Sequence, residues 1–148
     1  MRISARTEYA VLALMKLADN PERRPMQARE IATDAGIPKA FLDQLLLDLR
    51  RANIVRSIRG PGGGYVLARS PESLPLRDAI AAVEGGALCT PCGIKTADGA
   101  PCSRAGACAL REVWQAVDEA TDHILSSTTL ASLIDRQRQI LGQNMYYI

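Results

Sequence analysis

Four cysteines are the residues best suited to chemistry in this chain of 148 residues. Cys89, Cys92, Cys102 and Cys108 follow the pattern C-x2-C-x9-C-x5-C, so all of them fall inside one short segment. Deprotonated thiolates are soft ligands, and clustered thiolates hold zinc or iron–sulfur clusters. The same side chains can act as redox thiols that form disulfides on oxidation. The pattern predicts metal or redox chemistry, and the spacing alone leaves these alternatives open.

The composition of the chain indicates a cytoplasmic protein. Apolar residues make up 47% of the sequence, which excludes a disordered chain. No apolar run reaches the roughly 18 to 20 residues that a membrane span needs, so no membrane partner is expected. The stretch from Met1 to Glu8 leads directly into an amphipathic pattern and lacks the features of a signal peptide. In the cytoplasm, a cysteine cluster favours metal or redox chemistry over structural disulfides.

The N-terminal half of the chain has the pattern of a winged helix-turn-helix. Helical periodicity in three segments, with the tight turn Gly36-Ile37-Pro38 before the third, gives way to the two-residue period of a hairpin around Gly60–Gly64. Two helices joined by a tight turn and followed by a two-stranded wing define this motif. The predicted elements are helices at 5–19, 28–35 and 39–52 and strands at 54–59 and 65–68.

Two apolar stripes at helical spacing predict the buried faces of the first and third helices. Residues three and four positions apart lie on the same side of a helix, so such stripes face a core. The stripe of the first helix is Val11, Leu14, Met15 and Ala18, and that of the third is Leu42, Leu45, Leu46 and Leu49.

The C-terminal half predicts three more helices and a long segment without periodicity. Helices are expected at 76–83, 109–126 and 130–141, the last capped by Thr128 or Thr129 and ended by Gly142. Residues 87–107 have no apolar period, and a loop of this length is usually functional or disordered. The chain divides into a DNA-binding domain at 1–85, a cysteine-rich loop at 86–108, and a helical region at 109–148. The overall prediction is a mainly α fold with a small β wing.

The predicted helix at 109–126 carries an apolar stripe that needs a partner. A second copy of the chain is the economical partner, because the wing domain has enough helices for its own core and homodimers are the commonest assembly. Packing within one chain is the alternative. The stripe consists of Leu110, Val113, Trp114, Val117, Ile124 and Leu125.

Charge is distributed unevenly between the two halves of the chain. The net charge is only +2, but residues 1–69 carry 12 Lys or Arg against seven Asp or Glu. Residues 70–148 carry six against nine. This asymmetry suggests that the N-terminal half meets a polyanion, with ordinary surface variation as the alternative.

The motifs together resemble the Rrf2 family of bacterial transcription regulators over nearly the whole chain. The resemblance is carried by Gly36–Leu46, by the wing sequence Arg-Gly-Pro-Gly-Gly-Gly-Tyr at 59–65, and by matches at 1–10, 76–83 and 129–133. It implies a homodimer with a winged-helix DNA-binding domain, a long dimerisation helix and a cysteine loop before that helix. Many members bind a [2Fe-2S] or [4Fe-4S] cluster in the loop.

The cysteines match the family's three-cysteine pattern only in part. The gap between Cys102 and Cys108 fits the last of the family's gaps, whereas the gap between Cys92 and Cys102 is longer. Cys89 is an additional thiol, so either Cys89 or Cys92 can be the family's first ligand.

The resemblance leaves the fourth ligand open. Cluster-assembly regulators have a histidine three residues after the last cysteine, where this chain has Arg111. The lone histidine, His123, lies far along the predicted dimer helix and is expected to be a surface or packed residue. Glu8 of the partner subunit matches the acidic ligand of nitric-oxide-sensing members, with a solvated helix charge as the alternative. We favour four thiolates, because thiolates stabilise clusters better than a carboxylate does.

The motif also predicts which residues contact an operator in double-stranded DNA. The N-terminal part of the third helix should face base edges in the major groove, and Arg59 at the wing tip should lie in or beside the minor groove. The helix contributes Lys39, Ala40, Asp43 and Gln44 to base edges and Arg50 and Arg51 to phosphates, while Arg56, Gly62 and Gly63 belong to the wing.

These features predict a homodimeric transcription regulator that senses redox state, iron–sulfur status or nitric oxide through its cluster. No nucleophile–base arrangement or nucleotide-binding loop is recognisable, so an enzyme is not expected. Structural zinc or a thiol–disulfide switch are alternatives within the same class. A cluster carrier without DNA binding is the alternative from another class, and the basic wing domain argues against it.

Overall fold

The computed structural model describes residues 3–20, 24–85 and 108–144, of which only the backbone is described at 143 and 144. The described residues form six α-helices, one turn of 3-10 helix and one two-stranded antiparallel sheet, which confirms the mainly α fold with a small wing. The helices are α1 Ala5–Ala18, α2 Ala28–Ala35, α3 Lys39–Arg51, α4 Leu76–Glu84, α5 Ala109–Ser127 and α6 Leu130–Asn144, the 3-10 turn is Pro71–Ser73, and the strands are β1 Val55–Ile58 and β2 Gly64–Leu67.

A tight turn between α2 and α3 sets up the helix-turn-helix. Gly36 ends α2 with a φ of +66°, in the left-handed region that glycine adopts without steric cost. The N–H of Ile37 then donates to the carbonyl of Ala32 at 2.9 Å, and Pro38 leads directly into α3. The turn therefore reverses the chain within three residues, as the sequence predicted.

The leucine stripe of α3 forms the centre of the hydrophobic core. Leu42, Leu45, Leu46 and Leu49 are each fully buried, as predicted. They belong to one cluster with buried residues from α1, α2, α4 and α6. Among those neighbours are Leu14, Leu17, Ile31, Val83 and Leu130.

The buried face of α1 differs from the predicted stripe. Of the four predicted residues, only Leu14 is fully buried, while Val11, Met15 and Ala18 are half-buried at the edge of the contact. Small residues let α1 approach its neighbours closely, so burial falls on alanines that an apolar stripe does not single out. The buried face consists of Thr7, Ala10, Ala13, Leu14 and Leu17.

The wing is attached to the helix-turn-helix by main-chain hydrogen bonds. In the hairpin, Val55 pairs with Leu67 and Ile58 with Gly64. Met26, which precedes α2, forms an antiparallel bridge with Tyr65 through N–H to carbonyl distances of 3.0 and 2.8 Å. This bridge fixes the hairpin relative to α2.

The last helix packs onto the same core rather than projecting from it. Leu130 and Ile134 of α6 are buried, and the N–H of Leu130 donates to the carbonyl of Leu74 at 2.9 Å. Thr129 caps α6, because its hydroxyl accepts from the N–H of Ser132 at 3.2 Å. The predicted stop at Gly142 is wrong, since α6 continues to Asn144. One exposed glycine near a helix end costs only about 1 kcal/mol.

No helix among the described stretches of the chain is both long and apolar enough to cross a membrane.

The wing glycines differ in what a side chain would meet there. A Cβ on Gly64 would lie 2.4 Å from the carbonyl oxygen of Met26, whereas a Cβ on Gly62 would have no atom within 4 Å. We expect Gly64→Ala to lower the free energy of unfolding by about 1–3 kcal/mol, because backbone must shift to relieve the overlap. Gly62→Ala should change it by less than about 0.5 kcal/mol. Urea denaturation of both variants measures this, and equal midpoints would contradict the close contact.

Candidate nucleic-acid interface and cysteine segment

The recognition helix α3 presents its predicted base-reading residues to solvent. Lys39, Ala40, Asp43 and Gln44 are all exposed, on the side of α3 that its buried leucines do not occupy. Lys39 and Asp43 form an ion pair at 2.7 Å one helical turn apart. This face of α3 is therefore accessible to a ligand. In its first turn, the charges of Lys39 and Asp43 neutralise each other.

Asp48 anchors the polar side chains in the second half of α3. The side-chain amide of Gln44 donates to the Asp48 carboxylate at 3.4 and 3.5 Å, and Arg51 pairs with the same carboxylate at 3.3 Å. Only 14% of the Asp48 side chain is exposed. Gln44 thus contacts Asp48 while the residue stays exposed to solvent.

The cationic side chains separate into paired and unpaired groups. Most Lys and Arg side chains have an acidic or hydrogen-bonding partner, as Lys16 has in Asp34 at 2.8 Å. Within residues 3–20, 24–85 and 108–144, four arginine side chains form no hydrogen bond or ion pair. These are Arg29, Arg50, Arg56 and Arg59, and all of them belong to the helix-turn-helix or the wing.

Three of these unpaired arginines are predicted DNA contacts, and the fourth, Arg29, was not singled out in the sequence. Arg29 lies on α2 and lines a concave surface with Thr33, Ile37 and Lys39, next to the turn of the motif. An isolated arginine on an amphipathic helix has no distinguishing signal in the sequence. Its lack of a partner becomes visible only when α2 and α3 are folded against each other.

The tip of the wing combines an exposed arginine with an open glycine. Arg59 is exposed at the end of β1, and Gly62 has free space around it. Gly63 is different, because a Cβ there would lie 2.3 Å from the carbonyl oxygen of Ile58. Folding of the hairpin therefore accounts for glycine at 63, while nothing within the described chain requires glycine at 62.

Of the predicted metal ligands, the structure describes Cys108 and Glu8. Cys89, Cys92 and Cys102 lie outside the described residues. Cys108 is a free, half-buried thiol at the N-cap of α5. No group of three or more potential ligands comes together within the part of the chain that is described.

Glu8 lies in a first turn of α1 that is fixed to the end of α4. The hydroxyls of Ser4 and Thr7 both donate to the carboxylate of Glu84. Glu84 is followed by Gly85 and then by the cysteine-rich loop at 86–108, called the cysteine segment below. Glu8 itself is exposed, and so is His123. The structure therefore brings α1 beside the residue where the cysteine segment begins and leaves the Glu8 carboxylate accessible.

Helix α5 has an apolar face without a partner in the described chain. None of its side chains is buried, and Leu110, Val113 and Ile124 are 55%, 57% and 60% exposed. Of the predicted stripe, Leu110, Val113, Val117 and Ile124 are exposed, whereas Trp114 and Leu125 are half-buried. Arg77 of α4 pairs with Asp122 of α5 and contributes to holding α5 against the domain.

The sequence matches a family of known regulators. The profile of the Rrf2 family, described as an iron-dependent transcriptional regulator, matches residues 3–136. An HTH-type transcriptional regulator of Neisseria meningitidis serogroup A is 34% identical over 93% of this chain and 90% of its own length. The regulator IscR of Klebsiella pneumoniae is 32% identical over 93% of this chain and 82% of its own.

The fold matches solved structures of the same kind. IscR of T. potens has a TM-score of 0.77 and 28% identity, covering 99% of this chain and 97% of that one. CymR of B. subtilis, described as its global cysteine regulator, has a TM-score of 0.74 and 30% identity over 92% and 98% of the two chains. The relatives are named as transcriptional regulators, which confirms the prediction that the protein is not an enzyme. By the extent of these matches, the chain belongs to the Rrf2 family of transcriptional regulators.

Proposed function

We propose that the protein is a homodimeric DNA-binding regulator whose cysteine segment holds an iron–sulfur cluster as its sensor. The observation that carries this proposal is the position of that segment, between a winged helix with unpaired arginines and the open apolar face of α5. A change at the cysteines then acts where the DNA-binding part joins α5. The relatives named IscR and the iron-dependent description of the family support a cluster of the [2Fe-2S] or [4Fe-4S] type.

In this proposal α3 enters the major groove and the wing reaches the minor groove. Gln44 can pair with adenine through both atoms of its amide, and Asp43 can accept from the amino group of cytosine. Arg59 reads groove width and negative potential, and the open space at Gly62 lets the wing backbone approach the DNA. Arg29, Arg50 and Arg56 contact phosphates.

The open face of α5 pairs with the same face of a second copy. Such a pair sets the distance between two recognition helices, which must fit half-sites about one helical turn or a multiple of it apart. Regulation requires that the two states of the protein bind DNA with different affinities. A shift of α5 against the winged helix changes that distance, and so changes how well both half-sites are met.

The donor set of the cysteine segment fits a cluster. Four thiolates are a sufficient ligand set for either cluster type, and Cys108 is a free thiol that directly precedes α5. When bound, the cluster supplies a centre whose charge changes on oxidation, nitrosylation or loss. Cys89, Cys92, Cys102 and Cys108 would hold it, with Glu8 of the partner subunit as the alternative to one thiolate.

Phosphate contacts make affinity for DNA depend on salt, by about 0.9 in log–log slope for each neutralised phosphate. A substitution in a homodimer removes two cations, so Arg29→Ala and Arg59→Ala should each lower the slope by about 1.8 on a mixed-sequence duplex. Arg136→Ala in α6 removes the same charge from the acidic half and should leave the slope unchanged. Fluorescence anisotropy titrations at several salt concentrations measure this. An unchanged slope for Arg59→Ala would show that the wing does not contact DNA. A wild-type slope near zero would favour a cluster carrier without DNA binding.

Protein purified without oxygen should contain iron and acid-labile sulfide and show visible charge-transfer absorption. We expect Cys89→Ser to lose most of the iron and Glu8→Gln to retain it, because four thiolates form the complete ligand set. The opposite result would assign the fourth position to the carboxylate. Colourless protein that carries zinc would identify a structural metal site, and absence of metal after anaerobic reconstitution would identify a thiol switch.

A lysine in the middle of the α5 stripe should break the dimer. We expect Val113→Lys to raise the dimer dissociation constant at least about tenfold, which corresponds to about 1.4 kcal/mol, because the ammonium group would be buried without a partner. Gln115→Lys adds the same charge on another face of α5 and should have little effect. Analytical ultracentrifugation of both variants measures this. Equal effects would show that the stripe is not the dimer interface.

A further inference from the structure

One guanidinium group joins three helices at the start of the chain. The Nε of Arg6 in α1 donates to the carbonyl oxygen of Val83 in α4 at 2.7 Å. Its Nη2 forms an ion pair with the carboxylate of Asp48 in α3. The end of α4 and the recognition helix are therefore held by two nitrogens of the same planar group.

The α4 side of this link is reinforced by a second set of contacts. The hydroxyls of Ser4 and Thr7 donate to Glu84, the residue after Val83. The Ser4 bond, then the Thr7 bond and the nearby charge of Arg6 lower the pKa of Glu84, so its carboxylate is ionised at neutral pH. These contacts attach the start of α1 to the last turn of α4.

In α3, the carboxylate that Arg6 binds also contacts a residue predicted to read bases. Arg6 bonds one oxygen of the Asp48 carboxylate and Arg51 lies 3.3 Å from the other. The amide of Gln44 donates to the same carboxylate from one helical turn away. Because most of the Asp48 side chain is shielded from solvent, this carboxylate has little freedom to reorient once its partners are in place.

We propose that Arg6 is a positioning residue for DNA recognition, which makes the orientation of Gln44 and α3 depend on the position of the α4 end. The inference rests on the proposed function, in which Gln44 contacts a base. It adds how the DNA-contacting face of α3 is regulated. Arginine suits this role because its fork holds two acceptors in a fixed geometry. A lysine keeps the charge and cannot reproduce the fork.

A rival explanation is that Arg6 only stabilises the fold. The pair of Lys16 and Asp34 provides a control, because it also joins α1 to the helix-turn-helix. Its cation is about as exposed as that of Arg6, at 38% against 33%, while Asp34 is more exposed than Asp48. It contacts α2 and has no part in the α4 contacts. Loss of this pair should weaken the packing of α1 without changing how the orientation of α3 depends on the position of the α4 end.

The test is a double-mutant cycle on DNA affinity, since energetic coupling between two residues appears as non-additivity. Wild type, Glu84→Ala, Arg6→Lys and the double variant are titrated with a duplex that the wild-type protein selects from a randomised library. All four are kept in one metal state. We expect Glu84→Ala to weaken binding about tenfold in the wild-type background, within the usual range for coupled sites. In the Arg6→Lys background it should weaken binding less than about twofold.

Two further comparisons decide the interpretation. Glu84→Ala combined with Lys16→Met should give additive effects. Asp48→Asn, which is nearly isosteric, should reproduce the loss of coupling seen with Arg6→Lys, and this keeps the test valid if that variant folds poorly. Additive effects in the Arg6 cycle, or non-additive effects in both cycles, would overturn the proposal.

Amide hydrogen exchange in α3 provides a readout that involves no DNA. Glu84→Ala should accelerate exchange in the first turns of α3 in the wild-type background and not in the Arg6→Lys background. Equal acceleration in both backgrounds would also overturn the link. Because the metal state is constant throughout, the Arg6 link can fail while the cluster still controls DNA binding, and it can hold in a protein that carries no cluster.

Discussion

The burial of four leucines on one side of α3 is the constraint on which the rest of the structure depends. Leu42, Leu45, Leu46 and Leu49 are fully enclosed, and truncation of one such leucine to alanine typically costs 2–5 kcal/mol, as an order of magnitude. A helix has only one opposite side, so this burial fixes which residues α3 presents outward. The outward positions are those of Lys39, Ala40, Asp43 and Gln44, and they are exposed for the same reason that the leucines are hidden.

The same core decides how the two halves of the chain are joined. α6 returns to pack Leu130 and Ile134 onto the winged helix, whereas α5 stays at the surface with most of its large apolar side chains exposed. In the proposed regulator, the exposed apolar side chains of α5 are available for contact with a second copy. The cysteine segment lies in the sequence between the end of α4 and the start of α5, and the proposed sensing mechanism uses this position to act on both helices.

Much of this arrangement could be predicted from the sequence, because its signals are local. Leucines at helical spacing, the glycine-ended turn and the hairpin pattern each identified their element within a few residues. The buried face of α1 was predicted poorly, because Ala10 and Ala13 are buried through close helix approach and not through large apolar side chains. The bridge between Met26 and Tyr65 has no periodicity and could not be foreseen. The role of Asp48 also depends on residues far apart in the sequence, since Arg6 and Asp48 meet only after α1 packs on α3.

The structure describes the predicted DNA contacts and only one of the four cysteines. Exposure and the absence of partners support Arg50, Arg56 and Arg59 and add Arg29, whereas Cys89, Cys92 and Cys102 stay predictions. The family resemblance suggests the cluster, but this chain departs from the family's pattern in the gap before Cys102 and at Arg111.

In the proposed regulator, the state of the cysteine segment controls DNA binding. The decisive experiment measures the affinity of cluster-loaded and cluster-free protein, both handled without oxygen, for one duplex selected by the wild-type protein. We expect affinities that differ at least about tenfold, a coupling free energy of about 1.4 kcal/mol, while both forms remain dimers. Equal affinities of two dimeric forms would contradict it, because a sensor that binds DNA equally well in both states regulates nothing.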